Sequence, residues 1–128
     1  MNIMNTNNKI LVVEDEDKIR KVIGMYFEKE GFDVLQTGNG LEAIVIAEKE
    51  KPRLIILDIM LPGLSGYEVC KRLKTSEETK DIIIVILSAR GQECEKMEGY
   101  SVGADLYETK PFSLKNLVTK VKEIIPKD

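Results

Sequence analysis

No histidine occurs among the 128 residues. Histidine-based general acid–base catalysis, Ser-His-Asp triads and histidine-ligated metals are excluded together. Cysteine is scarce. Cys70 and Cys94 form no CxxC pair and no zinc pattern, so reduced thiols in a cytoplasm are expected. No apolar run approaches the ~20 residues of a membrane span. Basic residues are not in excess. The net charge is −3, which is no electrostatic footprint for a phosphate backbone, so direct nucleic-acid binding is not expected. Met1–Asn8 is polar and lacks the basic-then-apolar layout of a secretory signal. A mobile tail over residues 1–8, a cytoplasmic location and no membrane association are the resulting expectations.

What is present is a globular composition, with 43% hydrophobic and 32% charged residues. The length suits one domain, which buries roughly two-thirds of its extended-chain surface without disulfide staples. Strand-like and helix-like segments alternate. Lys9 to Val13 is a short apolar, β-branched run, the signature of a buried strand. Ile19, Val22, Ile23, Tyr26 and Phe27 share one helix face, and Gly31 follows as a stop. Phe32 to Gln36 reads as a second strand. Asn39-Gly40 reads as a turn, and Leu41 to Lys51 as a helix ended by Pro52. Leu54 to Leu57 is a third strand, followed by a helix carrying Tyr67, Cys70 and Leu73. Ile82 to Leu87 is a fourth strand, apolar on both faces. A weaker helix over about Gln92 to Val102 places Cys94 and Met97 inward. A short fifth strand covers about Asp105 to Glu108. The last helix, with Leu114, Leu117, Val118, Val121, Ile124 and Ile125 on one face, starts after a Ser113 cap and closes at Pro126. Alternating strands and helices of this kind predict a parallel sheet with helices on both faces.

Ligands bind such sheets beyond the carboxyl ends of the strands. Those ends carry Glu14-Asp15, Asp58 and Ser88, with Lys110-Pro111 just after the fifth strand. Each has an ordinary reading. Glu14 and Asp15 suit a helix start, Ser88 a turn, Lys110 a solvated loop and Tyr107 a half-buried strand position. Asp58 fits its ordinary reading least, because it lies inside the apolar run from Leu54 to Leu61, where an uncompensated carboxylate is costly. Three convergent carboxylates repel one another, so one takes a proton or a cation neutralises them. With oxygen ligands and no histidine, the cation is hard: Mg²⁺, Mn²⁺ or Ca²⁺, with Mg²⁺ the best fit to a site that keeps waters and accepts phosphate oxygens. A lysine beside it suits a phosphoryl group. The set predicts phosphoryl transfer with a carboxylate as nucleophile.

Four stretches together carry a family resemblance: VVEDE at 12–16, LIILDIMLPGLSGYE at 54–68, VILSARG at 85–91 and GADLYETKPF at 103–112. In this order they resemble the receiver domain of two-component response regulators. The resemblance implies a flavodoxin-like fold: a doubly wound α/β three-layer sandwich of five βα units, its parallel five-stranded sheet in order 2-1-3-4-5, over residues 9–126. It implies that Asp58 is the phosphoacceptor. Asp15 and Asp58 would bind Mg²⁺ (Mn²⁺ as substitute) with the backbone carbonyl of Met60, and Glu14 would hold it directly or through water. Lys110 would contact the phosphoryl oxygens and Ser88 would hydrogen-bond them after transfer. Tyr107 would be the aromatic switch, and the Lys110-Pro111 peptide would be cis. A histidine kinase or histidine phosphotransfer protein would be the donor. A downstream effector domain or protein would read the change through the fourth helix, fifth strand and fifth helix. Such a chain is a phosphoacceptor and slow autophosphatase, not a turnover enzyme.

Some positions depart from the pattern. Ser88 stands where many relatives have Thr, which keeps the hydroxyl. Leu106 and Glu108 depart from the acidic-aromatic pattern of regulators that dimerise through this face, so that dimer is not expected. Met60 and Arg90 flank the site and are expected to limit water access. Other classes fit less well. A small-molecule phosphatase would want an acid where Met60 stands. A nucleotide or flavin module would want a glycine-rich loop where EDEDK stands. A receiver-like interaction domain that is never phosphorylated is the remaining alternative.

Overall fold

The computed structural model describes residues 7–88, 101–110 and 112–126. Strands and helices alternate from the start: β1 Lys9–Val13, α1 Asp17–Lys29, β2 Asp33–Thr37, α2 Gly40–Glu50, β3 Leu54–Asp58, α3 Gly66–Thr75, β4 Ile83–Ser88, β5 Leu106–Thr109 and a terminal helix α4 Leu114–Ile124. Of the helix expected over 92–102, residues 92–100, with Cys94 and Met97, fall outside those described, as does Arg90 before it. So do Pro111 and the first six residues of the expected tail. Asn7 and Asn8 are described, and both are tied down: their side-chain amides donate to the carbonyls of Lys51 and Gly31.

The sheet is parallel throughout, in order β2-β1-β3-β4-β5. Its strands are apolar on both sides because each side is covered by helices. Ile10 and Val12 of β1, Ile56 of β3 and Val85 of β4 pack with Ile23 and Phe27 of α1 and Leu117, Val118 and Val121 of α4. Their neighbours Leu11, Val13, Ile55, Leu57 and Ile86 face Ala43 and Ala47 of α2 and Val69, Cys70 and Leu73 of α3. The two-residue period of the strands thus sorts consecutive side chains into two separate cores.

Three helix starts are fixed by side chains. Asn39, Ser65 and Ser113 each accept a hydrogen bond from the backbone N–H three residues on, at 3.0, 3.2 and 3.2 Å. Asn39-Gly40 is therefore a cap followed by the first residue of α2, and not a free-standing turn. That helix also ends one residue before the expected limit. Lys51 turns left-handed (φ 45°) to deliver the chain into Pro52, which disfavours helical backbone in the residue before it.

Candidate functional site

The chemistry-bearing residues gather where β1, β3, β4 and β5 end. Glu14 continues β1 by one hydrogen bond, its N–H donating to the Thr37 carbonyl at 3.1 Å. This draws the Glu14 side chain into the molecule, where it is 1% exposed. Its carboxylate accepts from Lys110 Nζ at 2.7 Å on one oxygen and from the Glu16 N–H at 3.2 Å on the other. Glu14 does not cap α1: the cap position is Glu16, which makes no side-chain capping bond. Asp15, the next residue, is exposed.

Asp58 ends β3 and is 5% exposed. Pairing with β4 holds it from one side, with Asp58 opposite Leu87 and the Ile59 N–H donating to the Leu87 carbonyl at 3.3 Å. A glycine makes the next turn possible. A Cβ on Gly66, the first residue of α3, would lie 2.3 Å from the Asp58 carbonyl oxygen and 2.8 Å from Ile59 Cα, so no larger residue fits without movement. Ser88 is buried at the end of β4, and its carbonyl accepts from the Lys110 backbone N–H at 2.6 Å. That bond brings Lys110 back to the same edge, where Nζ lies 3.6 Å from Asp58 Oδ2. Tyr107 is buried in β5, facing the core under α2 and α3. The Met60 side chain is 67% exposed beside Asp58.

The electrostatics follow from this crowding. Burial, and then the neighbouring Glu14 carboxylate, push Asp58 up from 3.8 to about 6, while Lys110 and the Met60 backbone hydrogen bond work the other way. Burial works against the Lys110 charge. The hydrogen bond to Glu14 and the fields of Asp58 and Glu14 outweigh it and hold the ammonium above its ordinary range. One lysine therefore serves two buried carboxylates. Glu14, Asp15 and Asp58 also offer one oxygen each within 4.8 Å of one another. These are hard donors, and a cluster that already raises the proton affinity of Asp58 favours any other cation. The residues present fit a divalent ion of the Mg²⁺ class, with exposed Asp15 on the solvent side.

Sequence reasoning named Glu14, Asp15, Asp58, Ser88 and Lys110, which the structure brings to one sheet edge, and Tyr107, which lies within β5 and faces the core. It missed Arg20 and Gly38. Arg20 donates to the Glu14 carbonyl, a contact to backbone that leaves no trace in sequence beyond a cation in the first turn of a helix after an acidic run.

Comparison with known proteins agrees with this geometry. The family model described as the response regulator receiver domain matches residues 10–122. The phosphate regulon transcriptional regulatory protein PhoB of Pseudomonas aeruginosa is 46% identical over 116 residues, covering 91% of this chain and 51% of PhoB. The chain spans about half the length of the curated relatives it matches. Among solved structures, a putative response regulator from Chloroflexus aurantiacus superposes with a TM-score of 0.89 at 33% identity, covering 95% of this chain and all of that one. The receiver domain of the sensor histidine kinase PA1611 from P. aeruginosa, described with magnesium coordinated in its active-site cleft, gives 0.85 at 26% identity, covering 94% and 98%. The match runs from β1 into the terminal helix and the sheet has the same strand order that the motifs implied, so the chain belongs to the response regulator receiver domains, the signalling domains of two-component systems.

Proposed function

We propose that this chain takes a phosphoryl group from a histidine kinase or a histidine phosphotransfer protein onto Asp58, in a Mg²⁺-dependent reaction, and so switches a surface read by an effector. The observation that carries the reading is Asp58 itself, a buried carboxylate raised to about 6 with Lys110 Nζ at 3.6 Å. An Asp58 oxygen attacks phosphorus and the donor P–N bond breaks. The donor imidazole leaves with that electron pair and takes up a proton, and Asp58 is left as an acyl phosphate. Lys110 turns from Glu14 to the phosphoryl oxygens, exchanging one anionic partner for another, so its half-buried charge stays compensated. The Ser88 hydroxyl donates to a phosphoryl oxygen after transfer. Tyr107, on the strand paired with β4, moves as Ser88 shifts. Asp15, Asp58 and the Met60 carbonyl would hold Mg²⁺, with Glu14 directly or through water. When bound, the ion offsets the repulsion between the incoming phosphate and the carboxylates.

The donor has ground to rest on beside the site. A groove lined by Ile19, Val22, Ile23, Phe112 and Leu114 shares Lys110 with the acidic cluster. A helix presenting a phosphohistidine can bury apolar surface there while its imidazole reaches Asp58. The net charge of −3 favours placing any nucleic-acid contact outside this domain. No described helix is long and apolar enough to cross a membrane, and we place the chain in the cytoplasm. It acts once per phosphoryl group received and loses that group slowly to water, so it is an acceptor and not a turnover enzyme.

The test is intact mass after incubation with Mg²⁺ and acetyl phosphate, beside Asp58→Asn. One added phosphoryl group, lost on chelation of Mg²⁺ and absent from Asp58→Asn, is the expected result. No adduct in a chain shown separately to bind Mg²⁺ would replace this reading with a docking domain that works without phosphorylation.

A further inference from the structure

We propose that Arg20 is a positioning residue for the cation site: its guanidinium locks the peptide between Glu14 and Asp15 and so sets the direction of the Asp15 carboxylate. The inference rests on reading Glu14, Asp15 and Asp58 as the residues that hold a divalent ion.

Arg20 lies in the first turn of α1, yet its head does not point into water. The side chain is 16% exposed. Nη1 donates to the Glu14 carbonyl at 2.8 Å, and Nη2 pairs with Asp17 Oδ1 at 2.5 Å. The β2–α2 connection closes the other side. A Cβ on Gly38 would meet Nη1 at 3.1 Å and Asp15 Cα at 3.3 Å. The guanidinium is thus packed between the acidic step and Gly38, a fixed planar fork and not a mobile surface charge.

The acidic step is pinned at three successive points. The Glu14 N–H is held by the Thr37 carbonyl, the Glu14 carbonyl by Arg20, and the Glu16 N–H by the Glu14 carboxylate. The middle restraint fixes the peptide plane from which the Asp15 side chain departs. Asp15 is exposed and has no hydrogen bond or ion pair of its own among the described residues, so its backbone decides where its carboxylate points. Asp15 is also the acid of the cluster that Lys110 does not contact.

The sign of one measurement separates this role from simple electrostatics. Arg20 is a cation near a cation site, so by charge alone its removal tightens Mg²⁺ binding. By positioning, its removal weakens it. The experiment is calorimetric titration of Mg²⁺ into the full chain, for wild type, Arg20→Met, Arg20→Lys and Gly38→Ala, with exposed Lys21→Met as the charge control. Arg20→Met is expected to raise Kd roughly ten-fold, the scale seen when partners that orient metal ligands are lost. Arg20→Lys restores the charge but not the fork, and its Kd falls in between. Gly38→Ala keeps every charge but presses on both the guanidinium and the Asp15 backbone that it holds, and raises Kd several-fold. Lys21→Met leaves Kd equal or lower. Saturating Mg²⁺ returns the phosphorylation rate of Arg20→Met close to wild type, which a general loss of structure would not allow. Binding by Arg20→Met as tight as wild type or tighter overturns the proposal. Should Arg20→Met fail to fold in a metal-free melt, an unchanged Kd in Gly38→Ala overturns it instead. Wild type without measurable Mg²⁺ binding overturns the cation-site reading first, and the role of Arg20 with it.

Discussion

At the scale of the residue, Asp58 is the proposed phosphoacceptor and also carries a stability cost. Its folded value of about 6 lies above the ordinary 3.8, so between those values the folded chain holds a proton that the unfolded chain has lost. Metal-free stability therefore falls as pH rises from about 4 through 6, and then levels off. The full cost is about 3 kcal/mol. Asp58→Asn removes it. The variant is expected to melt at higher temperature than wild type at pH 8 without metal, with the gap narrowing toward pH 5. A gap independent of pH would show that the carboxylate is not the origin. Asp58 was legible in sequence because an acid inside an apolar run needs compensation. Glu14 and Asp15 were legible as a pair, but their division of labour was not. Which of two adjacent acids turns inward depends on whether β1 takes one more hydrogen bond from β2, and that is decided across the sheet. Arg20 and Gly38 were not legible at all, since neither contact involves a pair of residue types with a recognisable spacing.

At the scale of the element, the β3–α3 connection is a tight joint. Gly66 lets the first turn of α3 lie against the Asp58 carbonyl. Gly66→Ala is expected to cost about 1–3 kcal/mol, the usual penalty for forcing a methyl group into a packed position. It should also slow phosphoryl uptake, because the displaced strand end carries Asp58, the proposed acceptor. A urea midpoint checks the first and intact mass against time the second. A variant with wild-type midpoint and wild-type uptake would mean that the helix start yields without moving β3. The strands themselves were easy to read, since KILVV, LIIL and IIIVIL are apolar on both faces and only a covered parallel sheet accepts that. The first was read with its observed bounds, whereas the third and fourth strands each run one residue further than read, to Asp58 and Ser88. Side-chain pattern marks what is buried, whereas backbone pairing decides where a strand stops, as at Ser88 opposite Thr109.

At the scale of the whole molecule, the proposed cation site and the fold share the same carboxylates. A cation that binds only the folded chain adds stability by mass action, about 2.7 kcal/mol at a hundred times its Kd. Mg²⁺ is expected to raise the melting temperature strongly at pH 8 and much less at pH 5, where Asp58 already carries a proton. An equal shift at both values would place the binding elsewhere. Strand order was legible only through the family motifs. Alternation of elements predicts a parallel sheet but leaves its sequence of neighbours open, and the choice is made by pairings such as Ile10 with Leu54 that skip the strand next in the chain. That skipped neighbour matters during synthesis. Once β3 has joined β1, the three carboxylates are side by side, while Lys110 is encoded about 50 residues later. At typical translation speeds the gap lasts roughly 3–10 seconds. A nascent chain that pairs β1 with β3 in that interval would carry its acidic cluster without Lys110, and a divalent ion is the counter-charge we expect it to use. A chain cut after β3 is therefore expected to respond more to magnesium than one that reaches Lys110.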